Sequence, residues 1–239
     1  MKRRRRLIVL TAALALSVPV GLAAPAASSP PRTLGSYYLG PKMIRAEVAL
    51  KSNGILHDFR IDVGRIRSTS LATQTITLKE RDGKTQPMQV SPTARIRVNG
   101  GSSTFAALRP GMFALTIRDG NGAAEQVFAT RAAAKLALPR ALQVYYLGPK
   151  MIRAEIVLKS NGILHDFRID AGRIQSTSSN PPTIMLKEKD GTVQPILVSS
   201  SARIKVNGSS SSFSALRRGL HATTIRNGDS PAEQVLATR

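Results

Sequence analysis

From Ile44 to Lys51 the chain alternates with period two. Ile44, Ala46, Val48 and Leu50 are apolar, and Arg45, Glu47 and Lys51 between them are charged. After Asn53-Gly54 the alternation resumes, with Ile55, His57, Phe59, Ile61 and Val63 on one face and Asp58, Arg60 and Asp62 on the other. Alternation about Asn-Gly predicts a β-hairpin, because a type I′ turn needs positive φ at both central residues. A two-residue loop also fixes the register. On the inner side Val48 faces Phe59 and Ala46 faces Ile61; on the outer side Glu47 meets Arg60 and Arg45 meets Asp62. Each opposite-charge pair of this kind is worth about 0.2–1 kcal/mol.

Further strand segments follow at 75–80, 86–91, 94–99, 112–118 and 124–130, punctuated by Asp82-Gly83, Asn99-Gly100 and Asp119-Gly120. Ser103 to Leu108 suits one helical turn with a Ser cap, closed by Pro110-Gly111. A two-residue loop at Asp82-Gly83 sets Ile76 and Leu78 against Gln89 and Pro87, which predicts a longer loop or a bulge instead. Short strands with one brief helix predict a mainly β fold closed into a small barrel, since closure removes exposed edges.

The pattern is then written a second time. Tyr37 to Arg45 returns as Tyr145 to Arg153, an offset of 108, and Leu56-His57-Asp58-Phe59-Arg60 returns at 164–168. Aligning 32–131 with 140–239 needs no gap and gives 68 identities in 100 positions. The second hairpin therefore repeats Glu155 with Arg168 and Arg153 with Asp170. A unit of this size can close its own core. The reading is two domains in series, 33–131 and 140–239, joined by a short helical linker at 132–139.

Several stretches resemble a secreted bacterial module, domain-of-unknown-function family 5666. They are Gly64-Arg65-Ile66, Thr75 to Leu78, Asp82-Gly83, Val90 to Ile96, Phe105 to Met112 and Ala124 to Val127. The resemblance covers about 64–131 and 172–239, with Ser200-Ser201 and Arg218 departing from it in the second copy. It implies an OB-like barrel in an exported setting and carries no activity. The hairpin of residues 37–63 lies outside it.

Charge and the N-terminus set the compartment. Met1-Lys2-Arg3-Arg4-Arg5-Arg6, an apolar run from Leu7 to Leu22 and the Ala24, Ala26 stretch read as a signal peptide over 1–26. The apolar run, broken by Pro19, is short for a span, so the membrane enters only through an uncleaved leader. The protein is expected to be exported, by the Sec or twin-Arg route, and extracellular or envelope-associated. The chain carries 35 Lys and Arg against 14 Asp and Glu, a formal charge of +21. Only five of the basic residues fall in the leader, so the excess belongs to the folded part.

The chemistry in the sequence is sparse. With no Cys there are no disulfides, thiolate metal sites or Cys nucleophiles. No nucleophile elbow or phosphate-binding loop is present. Among the three histidines, His57 and His165 fall on the inner strand face as core or rim residues, and His221 replaces Phe113. Neither metal nor cofactor is expected, and no catalytic residue is assigned. Cationic positions are the candidates: Arg65, Arg67, Arg95 and Arg97 in the first copy, Arg173, Arg203 and Lys205 in the second. Arg95 and Arg97 alternate with Ile96 and Val98, so they project from one strand face. The resulting expectation is a non-enzymatic binding or structural module. Its partner would be an anionic wall polymer, anionic lipid head groups or an envelope protein, with salt-sensitive attraction. The rivals are a hydrolase or metal-dependent enzyme built on the repeat histidines, and an OB-like nucleic-acid binder. The last is disfavoured because bases need exposed aromatics on which to stack, and only Tyr37-Tyr38 and Tyr145-Tyr146 offer any.

Overall fold

The computed structural model describes residues 34–132 and 136–239; the expected signal peptide lies outside the described residues. In the first copy, helix α1 (Leu34–Tyr38) precedes β1 (Met43–Ser52), β2 (Ile55–Ser70), β3 (Thr75–Glu80), β4 (Thr85–Val98) and β5 (Gly101–Ser103). A 3-10 turn at Phe105–Ala107 leads to β6 (Phe113–Asp119) and β7 (Ala124–Thr130). The second copy repeats the order: α2 (Arg140–Tyr146), β8 (Met151–Ser160), β9 (Ile163–Ser179), β10 (Pro182–Glu188), β11 (Val193–Val206) and β12 (Ser209–Ser211). Its own 3-10 turn, Phe213–Ala215, precedes β13 (His221–Asn227) and β14 (Ala232–Thr238). The fold is mainly β, and all the strands belong to one 14-stranded sheet.

The first hairpin has the register the alternation dictates. Val48 faces Phe59, Ala46 faces Ile61, Glu47 faces Arg60 and Arg45 faces Asp62. Asn53 (φ 53°) and Gly54 (φ 80°) carry the positive φ of the type I′ turn. At Asp82-Gly83 the loop is longer by one residue, as expected, so Ile76 opposes Met88 and Leu78 opposes Gln86. The segments at 86–91 and 94–99 are one continuous strand, β4. The turn at Phe105 is preceded by Thr104, without the expected side-chain cap bond.

Within each copy the strand pairings close on themselves. β2 pairs β3, β3 pairs β4, β4 runs parallel to β7, β7 pairs β6, and β6 returns to β2. Ile76, Leu78, Met88, Val90, Phe105, Leu108 and Val127 fill the core inside this cycle, and the second copy has its counterpart around Ile184, Leu186, Ile196 and Val235.

The sequence reading of two domains in series leaves out how the copies meet. β1 pairs antiparallel with β8, so one sheet runs through both copies, and both belong to one compact unit. The pairing is reciprocal: Ala46 faces Ile156, Val48 faces Ala154, and Glu47 faces its own counterpart Glu155. Lys42 Nζ donates to Ser160 Oγ at 2.9 Å and Lys150 Nζ to Ser52 Oγ at 3.0 Å. The junction is thus isologous, each copy offering the same surface to the other. A third core forms along it, holding Val48, Leu50, Ile61, Ile117, Ile156, Leu158 and Ile169.

The helices cross over this core. Tyr38 of α1 packs edge-on against Phe167 of the second copy, with ring centroids 5.1 Å apart, and Tyr146 of α2 against Phe59 of the first at 5.2 Å. Phe59 is therefore covered by the helix of the opposite copy. The expected linker helix is displaced: the described residues 136–139 are not helical, and α2 begins after Pro139. Proline suits a helix start, where its missing N–H leaves no bond unmade. Leu136 and Leu138 of this segment are buried. No helix among the described residues is long and apolar enough to cross a membrane.

Candidate functional site

The seven candidate cations, Arg65, Arg67, Arg95, Arg97, Arg173, Arg203 and Lys205, are all exposed. They do not form one patch. Arg65 on β2 sits opposite Lys79 on β3, and Arg173 on β9 sits opposite Lys187 on β10, so each copy has one close cationic pair. Arg65 also donates through Nε to the Gly111 carbonyl at 3.2 Å. Arg173 approaches His221 Nε2 at 3.3 Å. Arg67 is bulged out of the β2–β3 ladder between Ile66 and Ser68. Arg95 and Arg97 stand on β4 beside Gln126 and Phe128 of β7. Arg203 and Lys205 stand likewise on β11 beside Gln234 and Leu236 of β14.

The cationic pairs border hollows. In the first copy a hollow of about 480 Å³ is lined by Val63, Arg65, Lys79, Phe113 and Leu136, among others. A second, of about 390 Å³, holds Arg97, Phe128 and the other side of Leu136. In the second copy the equivalent surface opens into about 750 Å³, lined by Leu34, Met151, Ile169, Arg173, Lys187 and Leu236, among others.

The histidines behave differently in the two copies. His57 faces Leu50 across the hairpin and lies half-buried, its ring stacked on Phe59 with centroids 5.4 Å apart. Its Nδ1 lies 2.7 Å from Asp119 Oδ2, while Asp119 Oδ1 accepts the Asp58 N–H at 3.1 Å. In the second copy Asn227 replaces Asp119 and accepts the Asp166 N–H at 3.2 Å. The imidazole–carboxylate pair is therefore not duplicated. Among the described residues no three acids or histidines converge as metal ligands.

A duplicated buried polar cluster was not foreseen. Glu80 and Asp62 are 3% and 4% exposed. Arg45 does not pair with Asp62, as the hairpin register alone implied. It reaches across to Glu80, and to Asp82 at 2.7 Å, while Asp62 faces Arg118 at 3.6 Å. Arg153, Glu188, Asp190, Asp170 and Arg226 repeat the arrangement. Burial pushes the Glu80 and Glu188 carboxyls up to about 7 against the pull of Arg45 and Arg153. The strand alternation held the clue, since Glu80 shares the inward face of Ile76 and Leu78. The Glu47–Arg60 and Glu155–Arg168 pairs form as the register implied, at 3.6 and 3.5 Å.

No family model, no curated protein and no solved structure matches this chain.

Proposed function

We propose that the chain is an exported, non-enzymatic binding module of the cell envelope, presenting cationic strand faces to a polyanion. The observation behind this reading is that all seven candidate cations are exposed, with Arg65–Lys79 and Arg173–Lys187 repeating the same close pair in both copies. Paired cations with no acid neutralising them raise the local anion concentration, and the attraction is screened by salt. Anionic wall polymers and lipid head groups are the candidate partners.

The finer fold belongs to the same proposal. The order β2–β3–β4–β7–β6, closing back on β2 with β4 and β7 parallel, supports two OB-like barrels, each with an added N-terminal ribbon. Single-stranded nucleic acid is a poorer fit: Phe59 and Tyr146 are packed against each other, and of the tyrosines Tyr37 alone is largely exposed.

Retention of the whole chain on heparin and on purified anionic wall polymer tests the reading. It should fall steeply as salt rises, and Arg95→Glu with Arg97→Glu should weaken it. Absence of salt-dependent retention at low ionic strength refutes it. One observation, the 2.7 Å contact of His57 with Asp119, favours the hydrolase alternative. Loss of a hydrolytic activity in His57→Gln, with the fold intact, would establish that alternative.

A further inference from the structure

We infer that the large hollow of the second copy binds a single-chain amphiphile, an acyl chain ending in a carboxylate. This goes beyond the polyanion reading and does not rest on it.

The first copy shows what the surface accepts. Val63 on β2, Leu115 on β6 and Phe128 on β7 are neighbours in one cross-strand ladder. Leu136, from the segment before α2, lies over this ladder, lining one hollow with Val63 and the other with Phe128. It is 7% exposed. The chain thus supplies its own aliphatic occupant there.

In the second copy the ladder reads Ala171, Thr223 and Leu236, and His221 replaces Phe113. Each change removes apolar bulk, at one place, between copies that agree at 68 of 100 positions. The space that Leu136 divides in the first copy into about 480 and 390 Å³ is here one continuous hollow of about 750 Å³, within the range of small-molecule sites. Of the helix α1 that crosses onto this copy, Leu34 lines it. Solvation alone does not account for this surface, because Leu34, Met151 and Ile169 keep it apolar.

The rim selects the head group. Arg173 and Lys187 stand side by side at the mouth with His221. The one carboxylate in the lining, Glu188, is already engaged by Arg153. An apolar trough ending in uncompensated cations matches a fatty acid, with the tail along Ile169 and Leu236 and the carboxylate at Arg173 and Lys187.

The test uses the full chain, titrated with a dansyl-labelled undecanoate that is displaced by unlabelled fatty acids. Saturable binding is expected, with displacement by palmitate far stronger than by octanoate, since each buried methylene is worth roughly fourfold in affinity. Hexadecanol, lacking the charge, should displace less well, and Lys187→Gln should narrow that difference. Rebuilding the first copy's surface, with Ala171→Val, His221→Phe, Thr223→Leu and Leu236→Phe, should weaken binding at least tenfold without lowering Tm. Thr223→Leu alone serves if the quadruple variant does not fold. The inference is overturned by no saturable binding at micromolar probe, by unchanged affinity in the filled variants, or by equal displacement at all chain lengths. Binding only to phosphatidylglycerol vesicles, and not to monomeric probe, also overturns it in favour of a membrane surface.

Discussion

Glu47 and Glu155 face each other across the β1–β8 junction, two like charges at the point where the copies meet their own equivalents. Like charges directly opposite in a sheet destabilise it. Each is held by an arginine of its own hairpin, Arg60 at 3.6 Å and Arg168 at 3.5 Å. Arg60→Gln with Arg168→Gln leaves the glutamates uncompensated. The double variant should lose several degrees of Tm at low ionic strength and clearly less in high salt, because both carboxylates are half-exposed and screened. Equal losses at both salt concentrations would argue against an electrostatic origin.

The buried carboxylates give stability a pH dependence of definite sign. Glu80 and Glu188 are raised by burial from 4.5 to about 7, and Asp62 and Asp170 are raised by burial as well. Between about pH 4.5 and 7 the folded state then holds more protons than the unfolded chain, so stability falls as pH rises through that window. The contribution per glutamate has a ceiling of about 3 kcal/mol, one pKa unit being about 1.4 kcal/mol. Asp82 and Asp190 act in the opposite sense. Burial raises both, but hydrogen bonds from the Lys84 and Thr192 backbone N–H groups and from Arg45 and Arg153 outweigh it, so both end lowered. Their stabilisation is present above the unfolded value near 3.8 and lost as pH falls below it. Melting curves should place Tm higher at pH 5 than at pH 8. Glu80→Gln with Glu188→Gln should flatten the difference; a Tm that rises from pH 5 to pH 8 contradicts the assignment.

Gly64 and Gly172 occupy equivalent places in β2 and β9, beside the buried glutamates. A Cβ on Gly172 would lie 2.3 Å from the Lys187 carbonyl oxygen, and one on Gly64 would lie 2.8 Å from that of Lys79. Backbone cannot yield as a side-chain tip can, so alanine forces strand against strand. Overpacking of this sort costs about 1–3 kcal/mol, and Gly172→Ala should lower Tm more than Gly64→Ala. The reverse order in calorimetry would show that the two strand pairs do not differ in closeness of approach.

What the sequence disclosed was local. The register at Asn53-Gly54 follows from a turn whose geometry is written in two residues, and the structure reproduces the backbone register across it. The junction was hidden because β1 and β8 carry the same alternation, and nothing along the chain says that their free edges meet. Asp62 illustrates a subtler gap. Alternation set it on the outward face with Arg60, but β6 returns alongside β2 and covers that end with Arg118. The exposure of the cations was legible, since Arg95 and Arg97 alternate with apolar neighbours. The hollows were not, because Val63, Leu115, Phe128 and Leu136 come together from separate segments of the chain.

Joining both copies in one polypeptide has an evolutionary consequence. In a pair of identical subunits, any mutation appears on both sides of the dyad at once. Here Leu136 is seated on one ladder, where Phe113 and Leu115 stand, while His221 and Thr223 take the equivalent places on the other. Covalent linkage lets the two halves differ at one surface while they share the same junction.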